Sequence, residues 1–144
     1  LRELRTYRRL SGADDQLPLM VDCERGLGRP DKALELAGEV KRTSLSEAVQ
    51  VELAIARSGA RLDMGKPELA LGELEIPQLK ADVAFSYSPA LFDSYAIVLQ
   101  ELGREDEAAL WGKRANRAAE ALADAVGDDD DDMVVVEMPD PEEQ

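Results

Sequence analysis

Carboxylates are the one reactive group this chain carries in quantity. Its 144 residues hold 31 Asp and Glu against 17 Lys and Arg, no histidine and one cysteine. Without histidine, neither a Ser-His-Asp nor a Cys-His catalytic site can be assembled. A zinc site built on His and Cys is excluded for the same reason. A single cysteine, Cys23, makes no internal disulfide. Glycosidase chemistry needs two carboxylates held at a fixed separation in a cleft, and no motif singles out such a pair. Asp128, Asp130 and Asp132 match the first three alternating ligands of an EF-hand loop, but the sixth position is Met133 and the twelfth Pro139. An EF-hand needs Gly and Glu there, so this run reads as a solvated acidic segment. No glycine-rich phosphate loop is present. The expectation is a chain with no catalytic residues, no metal and no cofactor: not an enzyme.

The charge itself is unevenly placed. Residues 127–144 contain nine acids and no base, whereas residues 1–126 carry 22 acids and 17 bases. The net charge of −14 opposes the phosphate neutralisation that nucleic-acid binding requires. No apolar stretch approaches the roughly 18–20 residues that span a bilayer. No nucleic acid, no membrane and a cytoplasmic location are therefore expected.

The elements that would position any site follow from an internal repeat. Leu27-Gly28-Arg29-Pro30-Asp31-Lys32-Ala33-Leu34 is echoed by Met64-Gly65-Lys66-Pro67-Glu68-Leu69-Ala70-Leu71 and by Leu102-Gly103-Arg104-Glu105-Asp106-Glu107-Ala108-Ala109. The glycines stand 37 and 38 residues apart. Glycine tolerates the left-handed conformation that ends a helix. Proline or an acid suits the first turn of the next helix. A small alanine lets two helices cross closely. Each copy therefore reads as the tight turn of a helical hairpin.

The flanks show helical periodicity. Leu17, Met20, Val21, Cys23 and Leu27 precede the first turn; Ala33, Leu36, Ala37 and Val40 follow it. Leu45, Val49, Leu53, Ala56, Ala60 and Met64 precede the second, with Ser44 and Glu47 spaced as a capping box; Ala70, Leu71 and Leu74 follow. Phe92, Tyr95, Ala96, Leu99 and Leu102 precede the third turn, after a helix start at Ser88-Pro89. The last helix carries Ala108, Trp111, Ala115, Ala118, Ala119, Leu122 and Val126. No stretch alternates with a period of two, so almost no β structure is expected. Residues 1–13, with Leu1, Leu4 and Tyr7 on one side, read as the second helix of a truncated preceding repeat. Residues 14–126 read as three hairpins and 127–144 as an acidic tail.

At these residues the sequence resembles the tetratricopeptide repeat family, in which Gly occupies the turn and Ala follows five residues later, as in Gly28/Ala33, Gly65/Ala70 and Gly103/Ala108. It is also similar to a group of actinobacterial tetratricopeptide proteins that share the turn Glu24–Pro30. The resemblance implies an all-α, right-handed superhelix of about three hairpins plus one orphan N-terminal helix. Two departures stand out. The period exceeds the family's ~34 residues, which places extra residues around Lys41–Leu45 and Ile76–Ser88. Arg57 and Arg61 fall where the family carries apolar or aromatic residues, so either that helix is rotated or the arginine stems snorkel to the surface.

The resemblance further implies that first helices line a concave groove for a peptide or partner helix. By position the groove residues are Asp22, Arg25, Ile55, Gly59, Leu62, Asp93, Ile97, Gln100 and Glu101; the bland alternative is that they cover a neighbouring helix or face solvent. The Lys/Asn/Arg set with which some family members clamp a C-terminal carboxylate is missing. Trp111 and Cys23 read as packing residues. The implied function is a non-catalytic protein–protein scaffold. The alternative is a homo-oligomer, such as a homodimer, made through the N-terminal helix and the tail. Met133–Met138, an apolar run between acids, can add as a strand to a sheet edge or lie in a groove. The expectation is that it docks, with Asp128–Asp132 near Arg2, Arg5, Arg8 and Arg9.

Overall fold

The computed structural model describes residues 15–125 and 136–137. Six α-helices are present among them: α1 (Leu17–Gly26), α2 (Pro30–Ala37), α3 (Glu47–Asp63), α4 (Pro67–Leu74), α5 (Ser88–Glu101) and α6 (Glu105–Ala125). A 3-10 turn, Arg42–Ser44, leads into α3. Two strands of two residues each, β1 (Val83–Ala84) and β2 (Val136–Glu137), pair antiparallel. The described residues are thus mostly helical, with this short ladder as their one β element. The expected helix at 1–13 and the acidic run Asp128–Asp132 lie outside the described residues.

The three hairpin turns share one hydrogen-bonding scheme. Gly28, Gly65 and Gly103 have φ of 76°, 72° and 77°, and no other described residue has positive φ. Each glycine N–H donates to the carbonyl three residues back: Arg25 at 2.9 Å, Leu62 at 2.9 Å and Gln100 at 3.0 Å. The next N–H, from Arg29, Lys66 or Arg104, donates to Glu24, Arg61 or Leu99, each at 2.9 Å. These two bonds are the Schellman arrangement, which satisfies carbonyls orphaned at a helix end. The carbonyls of the same Arg29, Lys66 and Arg104 then accept the first helical bonds of the following helices, from the N–H groups of Ala33, Ala70 and Ala108 at 3.0 Å each. One residue closes one helix and opens the next. That is the physical content of the five-residue Gly-to-Ala offset: its alanine is the first residue tied back to the turn. All three alanines are buried.

The chain divides into two compact units, Leu1–Glu73 and Leu74–Gln144. The core of the first is built from Leu17, Met20 and Val21 on α1, Ala33, Leu36 and Ala37 on α2, and Leu53, Ala56 and Ala60 on α3, with Leu45 from the link. In the second, Ala84, Phe92, Ala115 and Ala118 are buried together, with Leu79, Trp111, Ala121 and Leu122 packed around them. Trp111 meets Phe92 and Tyr95 edge-on, at centroid distances of 5.3 and 4.9 Å, and the Arg114 guanidinium lies 4.6 Å from its ring centre. Trp111 is a packing residue, held by the aromatic geometries that such pairs favour.

Several local expectations need correction. Helix α3 is capped by Ser46, whose Oγ accepts from the Val49 N–H at 3.3 Å. Ser44 instead donates to the Lys41 carbonyl at 2.7 Å within the 3-10 turn. Leu45 is buried but precedes α3, and α2 ends at Ala37, so Val40 belongs to the link. Leu27 is the C-cap of α1 and is 60% exposed. Ala119 is exposed on α6. At Leu27, Val40 and Leu45 the apolar spacing runs past a helix end that backbone capping sets, whereas Ala119 lies within α6 on its exposed side.

Candidate functional site

The residues that precede each turn glycine can be compared directly, because the three turns are built alike. Ten, six and three residues before Gly65 stand Ile55, Gly59 and Leu62; before Gly103 stand Asp93, Ile97 and Gln100. Six and three before Gly28 stand Asp22 and Arg25. Spacings of three and four place each set on one face of its helix. These are the expected groove positions.

In the first unit, Arg25 draws three of them together. Its Nη1 donates to Asp22 Oδ1 at 3.0 Å, one turn back on α1. Its Nε donates to Asp63 Oδ2 at 2.8 Å, at the end of α3. The guanidinium lies against Gly59, and a Cβ built there would overlap it. A glycine in the middle of α3, costly on helix propensity alone, is therefore the seat of a cross-helix arginine. The hydrogen bond to Asp63 raises the guanidinium above its ordinary pKa, against the desolvation that lowers it. Ile55 and Leu62, one turn either side of Gly59, are half-buried. Asp22 is exposed.

Asp63 was not among the expected site residues. The signal for it was a conflict: an acid in the last turn of a helix opposes the helix dipole, which asks for a cationic partner. Arg57 and Arg61 resolve a second conflict. Neither simply snorkels: their Nε groups donate to the two oxygens of Glu73 on α4, at 3.0 and 3.1 Å. Two arginines on α3 share one carboxylate on its hairpin partner, with Ser58 Oγ donating to the Ala70 carbonyl at 2.9 Å between the same helices. This side of α3 is a polar seam within the hairpin, which leaves the Ile55–Gly59–Leu62 face for Arg25.

In the second unit, Asp93, Ile97 and Gln100 are all exposed on α5, as is Glu101. Ile97 retains 51% of its surface. The opposite face of α5 is buried through Leu91, Phe92, Tyr95, Val98 and Leu99. Tyr95 Oη donates to Glu75 Oε2 at 3.2 Å, and burial, followed by the Glu75 charge, raises its pKa. At the third turn Arg104 makes a two-pronged bond to the Glu107 carboxylate at 2.6 and 2.8 Å. This bond lowers the Glu107 pKa. At the first turn the equivalent Arg29 forks instead onto buried Glu24, at 3.1 Å from each prong. The base in the turn motif thus has a carboxylate partner in both copies.

Among the described residues, no group of three or more His, Cys, Asp or Glu is placed to hold a metal ion. No helix among them is long and apolar enough to cross a membrane. Cys23 is a free, half-buried thiol. The surface features of chemical interest are therefore the first-helix faces: acids, one arginine already paired, and isoleucine or leucine between them. No family model, curated protein or solved structure matches the chain.

Proposed function

We propose that the chain is a non-catalytic protein-binding module whose hairpins stack as tetratricopeptide repeats do, with the first helices presenting a groove to a peptide or partner helix. The observation that carries this reading is the exposed Ile97, held in mid-helix between exposed Asp93 and Gln100. A lone exposed apolar residue is ordinary on a protein surface. On the preceding first helix Gly59 stands at the position equivalent to Ile97, flanked one turn either side by half-buried Ile55 and Leu62.

The charges suggest what the partner looks like. Asp22, Asp63 and Asp93 border these faces, and the one arginine among them, Arg25, is engaged by two of those acids. A partner segment with apolar anchors flanked by Lys or Arg complements such a surface. Peptides selected from a displayed library against the folded protein test this. Selected sequences should carry apolar residues flanked by bases, and titration against Ile97→Asp or Leu62→Asp should weaken them by ~10-fold or more, as loss of an interface anchor does. Selection of acidic peptides, or affinities untouched by both substitutions, would refute the reading. A mass by light scattering that rises with concentration would favour self-assembly instead.

A further inference from the structure

The link between α4 and α5 contains β1, and its partner strand comes from the far end of the chain. Val83 pairs with Glu137 and Ala84 with Val136. Both strands pack against α6. The link satisfies part of its own backbone: the Phe85 N–H donates to Ser88 Oγ at 2.9 Å, and the Val83 N–H turns toward the Lys80 carbonyl at 3.5 Å. Alternate residues of a strand present their backbone groups to opposite sides. Ala84 therefore offers its N–H and C=O outward, to a strand laid alongside. Its side chain is fully buried against Phe92, Ala115 and Ala118, so this edge is backed by an apolar core.

We propose that the β1 edge beside α6 is a docking site for an extended, valine-rich peptide, and that the chain's own residues 133–138 are its built-in, exchangeable occupant. Three observations support exchange. The ladder is only two residue pairs long, and a typical hydrogen bond contributes little net stability. Residues 126–132, seven in all, join α6 to this segment, and five of them are consecutive aspartates; covalent linkage of this length keeps the segment at high local concentration without adding a contact. The segment itself, Met133-Val134-Val135-Val136-Glu137-Met138, has the β-branched composition that strands favour. Strand addition of this kind gives affinity through the main chain. A ligand with the same pattern competes for the same edge, so the tail acts as a plug. Within this unit the edge is separate from the exposed Asp93, Ile97 and Gln100 of α5, and the proposal does not depend on the groove.

The test uses the full chain and a fluorescein-labelled peptide of residues 131–140. Val136→Pro in the full chain removes an N–H from the tail strand, which a paired strand does not tolerate, and it leaves every hairpin residue unchanged. By anisotropy the peptide should bind Val136→Pro about tenfold or more tightly than the unaltered chain, where the tethered tail competes at high effective concentration. A peptide carrying the same proline should not bind, and an added Ile97→Asp should change nothing. Equal affinity for both chains, or no binding to Val136→Pro with its helical circular dichroism intact, would overturn the proposal. Loss of binding on Ile97→Asp would also overturn it, by placing the peptide elsewhere.

Discussion

The Arg25 guanidinium occupies the space that a side chain at Gly59 would fill, and from there it reaches Asp63. Helix propensity and tertiary contact are therefore in conflict at residue 59. Gly→Ala in a helix interior gains about 0.5–1 kcal/mol, yet here the new methyl group displaces a paired arginine. The displaced atoms are the tip of a flexible side chain, so the fold survives. Gly59→Ala alone is expected to be nearly neutral. In an Arg25→Ala background the same substitution should stabilise by about 0.5–1 kcal/mol. A double-mutant cycle from denaturant midpoints reads the coupling directly. Additive effects would mean that Arg25 does not sit at Gly59.

The left-handed turns give a sharper expectation. Gly65 has φ of 72° with open space around a built Cβ, so any cost of substitution comes from the backbone alone. Gly65→Val should destabilise by about 1–3 kcal/mol, the cost of forcing a β-branched residue into that region. Gly65→Asn should cost less, because Asn visits it more readily. The ordering Gly, Asn, Val in thermal midpoint is the check, and a neutral Val variant would contradict the turn geometry.

These turns were also the most legible feature of the sequence. A glycine, a base and an alanine at fixed offset encode two hydrogen-bonded helix ends, and that code is local. The ends of α2 and α3 were less legible. Val40 and Leu45 continue the apolar spacing although Gly38 and Ser46 stop and start the helices. The candidate site was legible in position but not in pairing. Arg25 was found by its offset from Gly28, whereas Asp63 lies 38 residues away and has no local motif. Arg57 and Arg61 looked misplaced because their partner, Glu73, is on the next helix. Pairing across helices depends on tertiary placement, which spacing within one helix does not encode. The strand pairing of β2 was foreseen only as one of two modes, since a short apolar run fits either an edge or a groove.

Tyr95 provides a pH signature. Burial and the neighbouring Glu75 raise its pKa above the ordinary value of 10.0. The folded state therefore holds this proton more tightly than the unfolded state, and the contribution is fully present below pH 10 and lost as pH rises beyond it. Tyr95→Phe should cost about 0.5–1.5 kcal/mol at neutral pH through the lost bond to Glu75. It should also make the alkaline fall in stability shallower. Urea melts of both proteins from neutral pH to above 10 measure this, and parallel alkaline slopes would contradict the Tyr95–Glu75 hydrogen bond.

The central claim is that the faces of α1, α3 and α5 receive a partner. Amide chemical-shift mapping during titration with a library-selected peptide tests it most directly. Shifts concentrated at Asp22, Arg25, Ile55, Leu62, Asp93, Ile97 and Gln100 are the expected result. Shifts confined to α2, α4 and α6, or spread without pattern, would contradict it.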